Sequence, residues 1–222
     1  ATNNPVRGRF QIAMRQEQAN TCDAKLEREL RRGGYRLIAG VDEVGRGALA
    51  GPVLAAAVIL DLKRIPEGIN DSKKIAPARR IELAEAIRRS AVGVSVAAVE
   101  ASEIDRINIL RATKLAMRQA VEGLTPQPNF LLIDALTLSE LKTPQRAIIH
   151  GDALSVSIAA ASIIAKVARD QMMVEYDRTH PGYGFARNVG YGTNEHRLAL
   201  QKLGPSPIHR LSFHGVQPEL FS

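Results

Sequence analysis

The segment Leu37-Ile38-Ala39-Gly40-Val41-Asp42-Glu43-Val44-Gly45-Arg46-Gly47 carries an apolar run into two adjacent acids and then into a glycine-flanked arginine. A buried strand ordinarily ends in neutral residues, because neighbouring carboxylates repel each other and resist leaving water. The pair therefore implies a compensating cation. Successive strand residues also face opposite sides, so Asp42 and Glu43 share a site only where the strand ends or bends. The glycines that follow make such a bend cheap.

Outward from this stretch, 36–44 reads as a strand and 53–60, wholly apolar from Val53 to Leu60, as its hairpin partner across a glycine-rich turn. Leu26 and Leu30 give 21–32 a helical spacing that Gly33 and Gly34 end. Pro77 opens an amphipathic helix with Ile81, Ala84 and Ile87 on one face. Val92, Val94 and Val96 alternate through a third strand. Ser102 and Asp105 suggest a capped start to a helix carrying Leu110, Met117, Val121 and Leu124, with a break near Asn108. Residues 129–134 form a fourth strand, and Ala147 to Ile149 end a fifth. A long helix over about 153–179 follows, with Ile158, Ala161, Ala165, Met172 and Tyr176 as its buried stripe. Hairpin strands first and strand–helix alternation afterwards imply an α/β domain, a mixed sheet that is antiparallel on one side, parallel on the other and covered by helices.

Residues 1–20 are polar and read as a flexible arm, 21–214 as the folded domain, catalytic by the resemblance described below, and 215–222 as a tail. Hydrophobic residues make up 45% of the 222 and aromatics only 4%, so the core is built from aliphatics and alanine. A formal charge of +7 and a pI near 9.9 point to a polyanionic partner, nucleic acid above all. The single cysteine, Cys22, leaves no thiol cluster for zinc, and no apolar run is long enough to span a membrane. A cytoplasmic protein without a membrane association is the expectation.

Four acids fall at element ends, where open-sheet enzymes place their chemistry. Asp42 and Glu43 end the first strand, Asp134 ends the fourth, and Asp152 opens the long helix. Each has a plainer reading: a helix N-cap for Asp152, a first polar residue after a strand for Asp134, a solvated side chain for Glu43. Together they form an all-oxygen set, which favours Mg²⁺ or Mn²⁺ over zinc. Two such ions suit phosphodiester hydrolysis. Gly45, Gly47 and Gly51 do not form a dinucleotide loop, because Pro52 and a strand follow them rather than a helix.

The ordered motifs resemble those of ribonuclease HII, the type 2 ribonuclease H. They are Gly40 to Gly47, Gly51-Pro52, Asn70-Asp71-Ser72-Lys73, Ala112 to Met117, Ile133-Asp134, Gly151-Asp152, Ile158 through Lys166 with Arg169-Asp170, and Gly190-Tyr191-Gly192-Thr193 with His196. The resemblance implies a ribonuclease H-like five-stranded mixed sheet flanked by helices, with Asp42, Glu43, Asp134 and Asp152 as metal-binding and catalytic acids. It implies cleavage of RNA in RNA–DNA hybrids and nicking 5′ of a lone ribonucleotide in duplex DNA, leaving 3′-hydroxyl and 5′-phosphate ends. Gly45, Arg46 and Gly47 would meet the 2′-hydroxyl through their amides, and Tyr191 would pack on the sugar at the DNA side of the junction. Lys73 is read as a phosphate contact, whereas Lys166 and Arg169 are equally compatible with structural roles. His150 is a departure, standing where relatives often carry lysine. The short N-terminus and the Gly-Arg-Gly turn favour this type over ribonuclease HIII, and the family is usually monomeric. Gln217, Leu220 and Phe221 resemble a peptide that docks on the bacterial sliding clamp; the rival is a tail folded back on the domain. Two further rivals are a noncatalytic nucleic-acid-binding module and a two-metal nuclease indifferent to the 2′-hydroxyl.

Overall fold

The computed structural model describes residues 22–217. Five strands form one sheet: β1 (Ile38–Val44), β2 (Val53–Ile59), β3 (Gly93–Val99), β4 (Phe130–Asp134) and β5 (Gln145–Ile148), in the order β3-β2-β1-β4-β5. β1 pairs antiparallel with β2 and β2 with β3, while β4 lies parallel to β1 and to β5. The mixed sheet expected from the sequence is present, with β1 at the junction of its two halves.

Helices cover both faces. α1 (Lys25–Arg32) precedes the sheet, α2 (Pro77–Ser90) follows β2, and α3 (Ala101–Ile107) and α4 (Ile109–Glu122) follow β3. After β5 come α5 (Val156–Thr179), the short α6 (Phe185–Asn188) and α7 (Asn194–Leu203). Leu54, Ala56 and Val58 pack with Leu83 and Ile87 of α2 and Ile163 and Ile164 of α5. The alternate residues Val53, Ala55, Ala57 and Ile59 pack on the other face with Ile104 of α3 and Met117 and Val121 of α4. Strand alternation thus feeds two cores, and the small residues of β2 let a helix approach from either side.

Gly40 shows how close that approach is. A Cβ built there would lie 2.0 Å from the carbonyl carbon of Ser157, in the backbone of α5. Backbone cannot swing aside as a side-chain tip can, so only glycine lets the start of α5 rest on β1. Glu27 of α1 pins the same end of α5: its fully buried carboxylate accepts from Ser155 Oγ at 2.5 Å and from the Ser157 amide at 3.0 Å. An anion at a helix N-terminus is favourable, because unsatisfied amides and the helix dipole point toward it.

Several local expectations shift. The 21–32 helix is confined to Lys25–Arg32. In α2 the buried face holds Arg80, Leu83, Ala84 and Ile87, and Ile81 is exposed. Arg80 lies inward because its guanidinium donates to the carbonyls of Ser72 and Ile75. Val92 precedes β3 and is exposed, as is Leu110 at the start of α4. Ser102 and Asp105 do not cap a helix; Glu100 occupies the N-cap of α3 without a side-chain bond. Asp105 instead accepts from the amides of Leu211 and Ser212 across the fold. The break at Asn108 is real: its φ is +71° and its side chain caps α4 through the Arg111 amide. The 153–179 helix begins at Val156, capped by Ser155 through the Ile158 amide, and Met173 rather than Met172 is the buried methionine. Leu220 and Phe221 lie outside the described residues.

Candidate active site

The parallel register of β1 and β4 pairs Val41 with Ile133, so Asp42 and Asp134 are the next residue on each of two adjacent strands. Hydrogen-bonded strands run about 4.8 Å apart, which sets the two residues side by side at the C-terminal ends of the two strands. Gly40 and Asp42 share the strand face that meets α5. Glu43 belongs to the last turn of the strand before Gly45, whose φ of +88° bends the chain away. Both Asp42 and Glu43, together with Asp134 and Asp152, line a single cavity of about 190 Å³. Val44, Ser72, Lys73, Ser162, Lys166 and Tyr191 complete its wall.

Burial and mutual repulsion shape the acids. Asp42 is 5% exposed, and burial, then the charges of Glu43 and Asp134, push its carboxyl well above the ordinary aspartate range. The Glu43 amide donates to Asp42 Oδ1 at 2.8 Å and partly offsets this. Burial also raises Glu43, opposed by Arg46, whose Nη1 lies 3.3 Å from Glu43 Oε1. Glu43 Oε2 is buried with no hydrogen-bond partner among the described residues. Asp152 does not open α5; it sits in a 3-10 turn, Gly151–Ala153, just ahead of it. Its carboxyl is raised by burial, then by Asp71 and Asp134, with Lys73 acting against them. Asp134 Oδ1 accepts from the Gly151 amide at 2.7 Å, which ties the end of β4 to that turn.

The set fits a hard divalent cation. Its donors are all carboxylate oxygens, one of them is buried and unpartnered, and their charges disfavour one another without a positive ion between them. Among the described residues no three such side chains are closed on one point in this conformation. The four acids ring the cavity without converging on one point.

The remaining predicted residues surround the same opening. Gly45 is buried, and a Cβ there would lie 2.2 Å from Arg169 Nε, whereas Gly47 faces open space. Arg46 and Lys73 are exposed beside the acids, and Tyr191 stands half-open with the Arg169 guanidinium 5.7 Å from its ring centroid. His150 is exposed and left-handed, with φ +56°, and does not line the cavity. Lys166 is paired with Asp170 at 2.8 Å.

The structural role open to Arg169 in the sequence is the one it takes, whereas Arg210 and the part played by Asp71 were not read from the sequence. Arg169, fully buried, donates to the carbonyls of Pro52, Val189 and Ala50. Arg210, also fully buried, donates to the carbonyls of Gly51 and Arg46. Together they clamp the whole loop from Arg46 to Pro52. Burial, then the nearby charge of Arg169, lowers Arg210 to about 9. Asp71 caps the 3-10 turn Ser72–Lys74 and lies close enough to raise Asp152. Its place inside the quoted Asn-Asp-Ser-Lys motif was the available signal.

A mixed five-stranded sheet with acids at the ends of its central parallel strands defines a nuclease of the ribonuclease H-like class. Comparison with known proteins narrows this. The profile of the ribonuclease HII family matches residues 39–216. The ribonuclease HII of Desulfitobacterium hafniense (strain Y51) is 58% identical over 194 residues, covering 87% of this chain and 75% of that protein. That of Solibacter usitatus is 56% identical over 196 residues, 88% of this chain and 86% of its own. Among solved structures, a chain of the PCNA:RNase HII complex from Archaeoglobus fulgidus superposes with a TM-score of 0.71 at 27% identity, covering 83% of this chain and 98% of that one. The chain belongs to the ribonuclease HII family. It is a metal-dependent endoribonuclease of the ribonuclease H type. Among the described residues no helix is long and apolar enough to cross a membrane.

The raised carboxyls have a thermodynamic consequence with a definite sign. A group whose folded pKa exceeds its unfolded one contributes stability that is full below the unfolded value and is lost as pH rises through the folded value. In the absence of divalent ions, Asp42, Glu43 and Asp152 therefore destabilise the fold progressively from the ordinary carboxylate range upward. Asp42→Asn removes the largest part of this. In EDTA the variant should melt above wild type at about pH 8, with the gap closing toward about pH 4. Added Mg²⁺ should raise the wild-type Tm at the higher pH and move the variant far less. Thermal melts across pH, with and without Mg²⁺, check both; a variant that melts below wild type throughout contradicts the assignment.

Proposed function

We propose that this enzyme nicks duplex DNA on the 5′ side of an embedded ribonucleotide and cleaves the RNA strand of RNA–DNA hybrids, leaving 3′-hydroxyl and 5′-phosphate ends. The observation that carries the reading is the single cavity lined by Asp42, Glu43, Asp134 and Asp152 in a chain that is otherwise strongly basic. Basic surface holds the phosphate backbone, and an acid-lined pocket handles one phosphodiester within it.

In this reading Asp42, Glu43, Asp134 and Asp152 would hold Mg²⁺ or Mn²⁺, two ions during turnover. Such ions supply an activated water and stabilise the departing oxygen. Asp134, held by the Gly151 amide, and Asp42, held by the Glu43 amide, have their carboxylates anchored by backbone donors beside the cavity that they line. No side-chain nucleophile is required, and hydrolysis is direct. Lys73, exposed at the rim, contacts a phosphate.

Selection of ribose falls to the Gly45-Arg46-Gly47 turn and Tyr191. The 2′-hydroxyl is the group that separates RNA from DNA, and backbone amides are suited to meet it where no Cβ intrudes. Gly47 leaves that space open, and the buried arginines 169 and 210 hold the loop still. Tyr191, across the cavity wall, packs on the next sugar and disfavours a 2′-hydroxyl there. A two-metal nuclease lacking these features would keep the acids and cut without regard to ribose.

The enzyme is read as a cytoplasmic monomer, with residues 21–214 as its catalytic domain between an N-terminal arm and a tail. The tail, through Gln217, Leu220 and Phe221, docks on a sliding clamp as an extended peptide would on an apolar pocket. Removal of residues 217–222 should abolish binding to purified clamp; unchanged binding rejects this part alone.

The direct assay uses two duplexes of one sequence, one with a single ribonucleotide and one all DNA. Nicking should occur only in the first, 5′ of the ribonucleotide, and only with Mg²⁺ or Mn²⁺. Asp42→Asn should lower kcat by at least about a hundredfold, as loss of a principal charge-stabilising group does. Cutting of the all-DNA duplex at a similar rate would contradict the proposal.

A further inference from the structure

Two buried histidines, His196 on α7 and His209 in the segment that follows it, meet at 2.9 Å through their Nε2 atoms. Neither touches the acids. Their hydrogen bonds nonetheless run from the C-terminal segment directly to Tyr191, and each step fixes the next.

The Ser206 amide donates to His209 Nδ1 at 2.9 Å, so that nitrogen is an acceptor and carries no proton. The proton of neutral His209 then sits on Nε2, pointing at His196 Nε2. His196 Nε2 accepts, which places its own proton on Nδ1, 2.9 Å from the Tyr191 carbonyl. A backbone amide can only donate and a carbonyl can only accept, so both ends of the relay force a single tautomer on each ring. Protonating His196 would set two N–H groups against each other across the Nε2 contact, and protonating His209 would set an Nδ1–H against the Ser206 amide. Tyr183 and Phe185 pack around the pair and exclude water from it. Burial lowers His209 to about 4 and lowers His196 as well; Arg197 beside His196, and His180 toward His209, act in the same direction. The pair is neutral at physiological pH.

The segment that carries His209 also holds the other recognition element. The Ile208 carbonyl accepts from the Gly51 amide at 2.8 Å, and the Arg210 amide donates to the Leu49 carbonyl at 2.9 Å. Arg210's guanidinium reaches back to the Arg46 carbonyl. Ile208 and Arg210 thus grip the loop after Gly45-Arg46-Gly47, while His209 between them reaches through His196 to Tyr191. The Leu49 amide closes the circuit on the Gly190 carbonyl at 2.8 Å. The Tyr191 carbonyl is shared between His196 and the Thr193 amide, so two donors together fix its direction.

We propose that His196 and His209 are positioning residues that hold Tyr191 in register with the Gly45-Arg46-Gly47 turn, so that the two read adjacent sugars at one fixed spacing. The assignment rests on the ribose-reading roles given above to Tyr191 and the turn. It adds the element that couples them, a neutral imidazole pair whose tautomers are set from both ends. A displacement of about 1 Å at a positioning contact is enough to cost up to a hundredfold in rate.

The tautomers are read on the unmodified chain by ¹H–¹⁵N correlation of the histidine side chains. His196 should carry its proton on Nδ1 and His209 on Nε2, both neutral at about pH 7. A protonated pair, or a proton on His196 Nε2, overturns the relay whatever Tyr191 does. The coupling is read as the kcat/KM ratio for a ribo-to-deoxy junction over a uniform RNA–DNA hybrid. His196→Leu and Tyr191→Ala should both lower that ratio about tenfold or more, and His196→Asn, whose amide nitrogen replaces Nδ1, should recover most of it. An equal loss on both substrates would mark a merely structural histidine and refute the coupling. If Tyr191→Ala lowers the ratio and a folded His196→Leu does not, the positioning role falls and the reading of Tyr191 stands. If Tyr191→Ala leaves the ratio unchanged, the reading of Tyr191 fails and the coupling with it.

Discussion

Asp42 brings a carboxylate to the end of the sheet's central strand, where little water remains and where Glu43 and Asp134 already concentrate negative charge. Without a cation the arrangement is costly, and the chain maintains it by constraint from several directions. The parallel register of β1 and β4 sets Asp42 beside Asp134. The absence of a Cβ at Gly40 lets α5 lie directly on β1, and Glu27 fixes the end of that helix. The turn carrying Asp152 is joined to Asp134 through the Gly151 amide.

The surroundings follow the opposite logic. Around a cavity that needs positive charge, two arginines are buried away from it, spending their donors on loop carbonyls rather than on the acids. Their work is geometric: they freeze the loop from Arg46 to Pro52 so that its amides stay where a sugar would meet them. The neutral histidine pair extends that rigidity to Tyr191. A preorganised site of this kind avoids reordering itself at the moment of reaction, and it keeps the acids and the Gly45-Arg46-Gly47 turn, to which we assign ion binding and ribose reading, in one frame.

Much of this was legible in the chain before folding. The strand ending in Asp42-Glu43, its hairpin with 53–60, the fourth strand ending in Asp134 and the long alanine-rich helix each announce themselves by local pattern. The four acids stand out because they interrupt apolar runs. What the pattern could not carry was anything decided by distant contacts. Arg80 turns inward in α2 and Ile81 outward because carbonyls of the preceding turn wait for a guanidinium. Asp105 looks like a capping residue but serves the amides of residues 211 and 212. Asp152 reads as a helix start, yet a 3-10 turn intervenes and Ser155 takes the cap. Arg210 and His209 lie in a stretch with no periodicity at all, and their roles exist only because the chain's end returns to the loop between β1 and β2.

The central claim is that the carboxylates at the ends of β1 and β4 and in the turn before α5 are held together in order to share divalent cations. Anomalous diffraction from crystals grown with manganese tests it most directly. Manganese should appear in the cavity between Asp42 and Asp134, with carboxylate oxygens of Glu43 and Asp152 drawn inward to complete the shells. A cavity without anomalous signal at saturating manganese, or manganese bound only at other acids of the surface, would contradict the account.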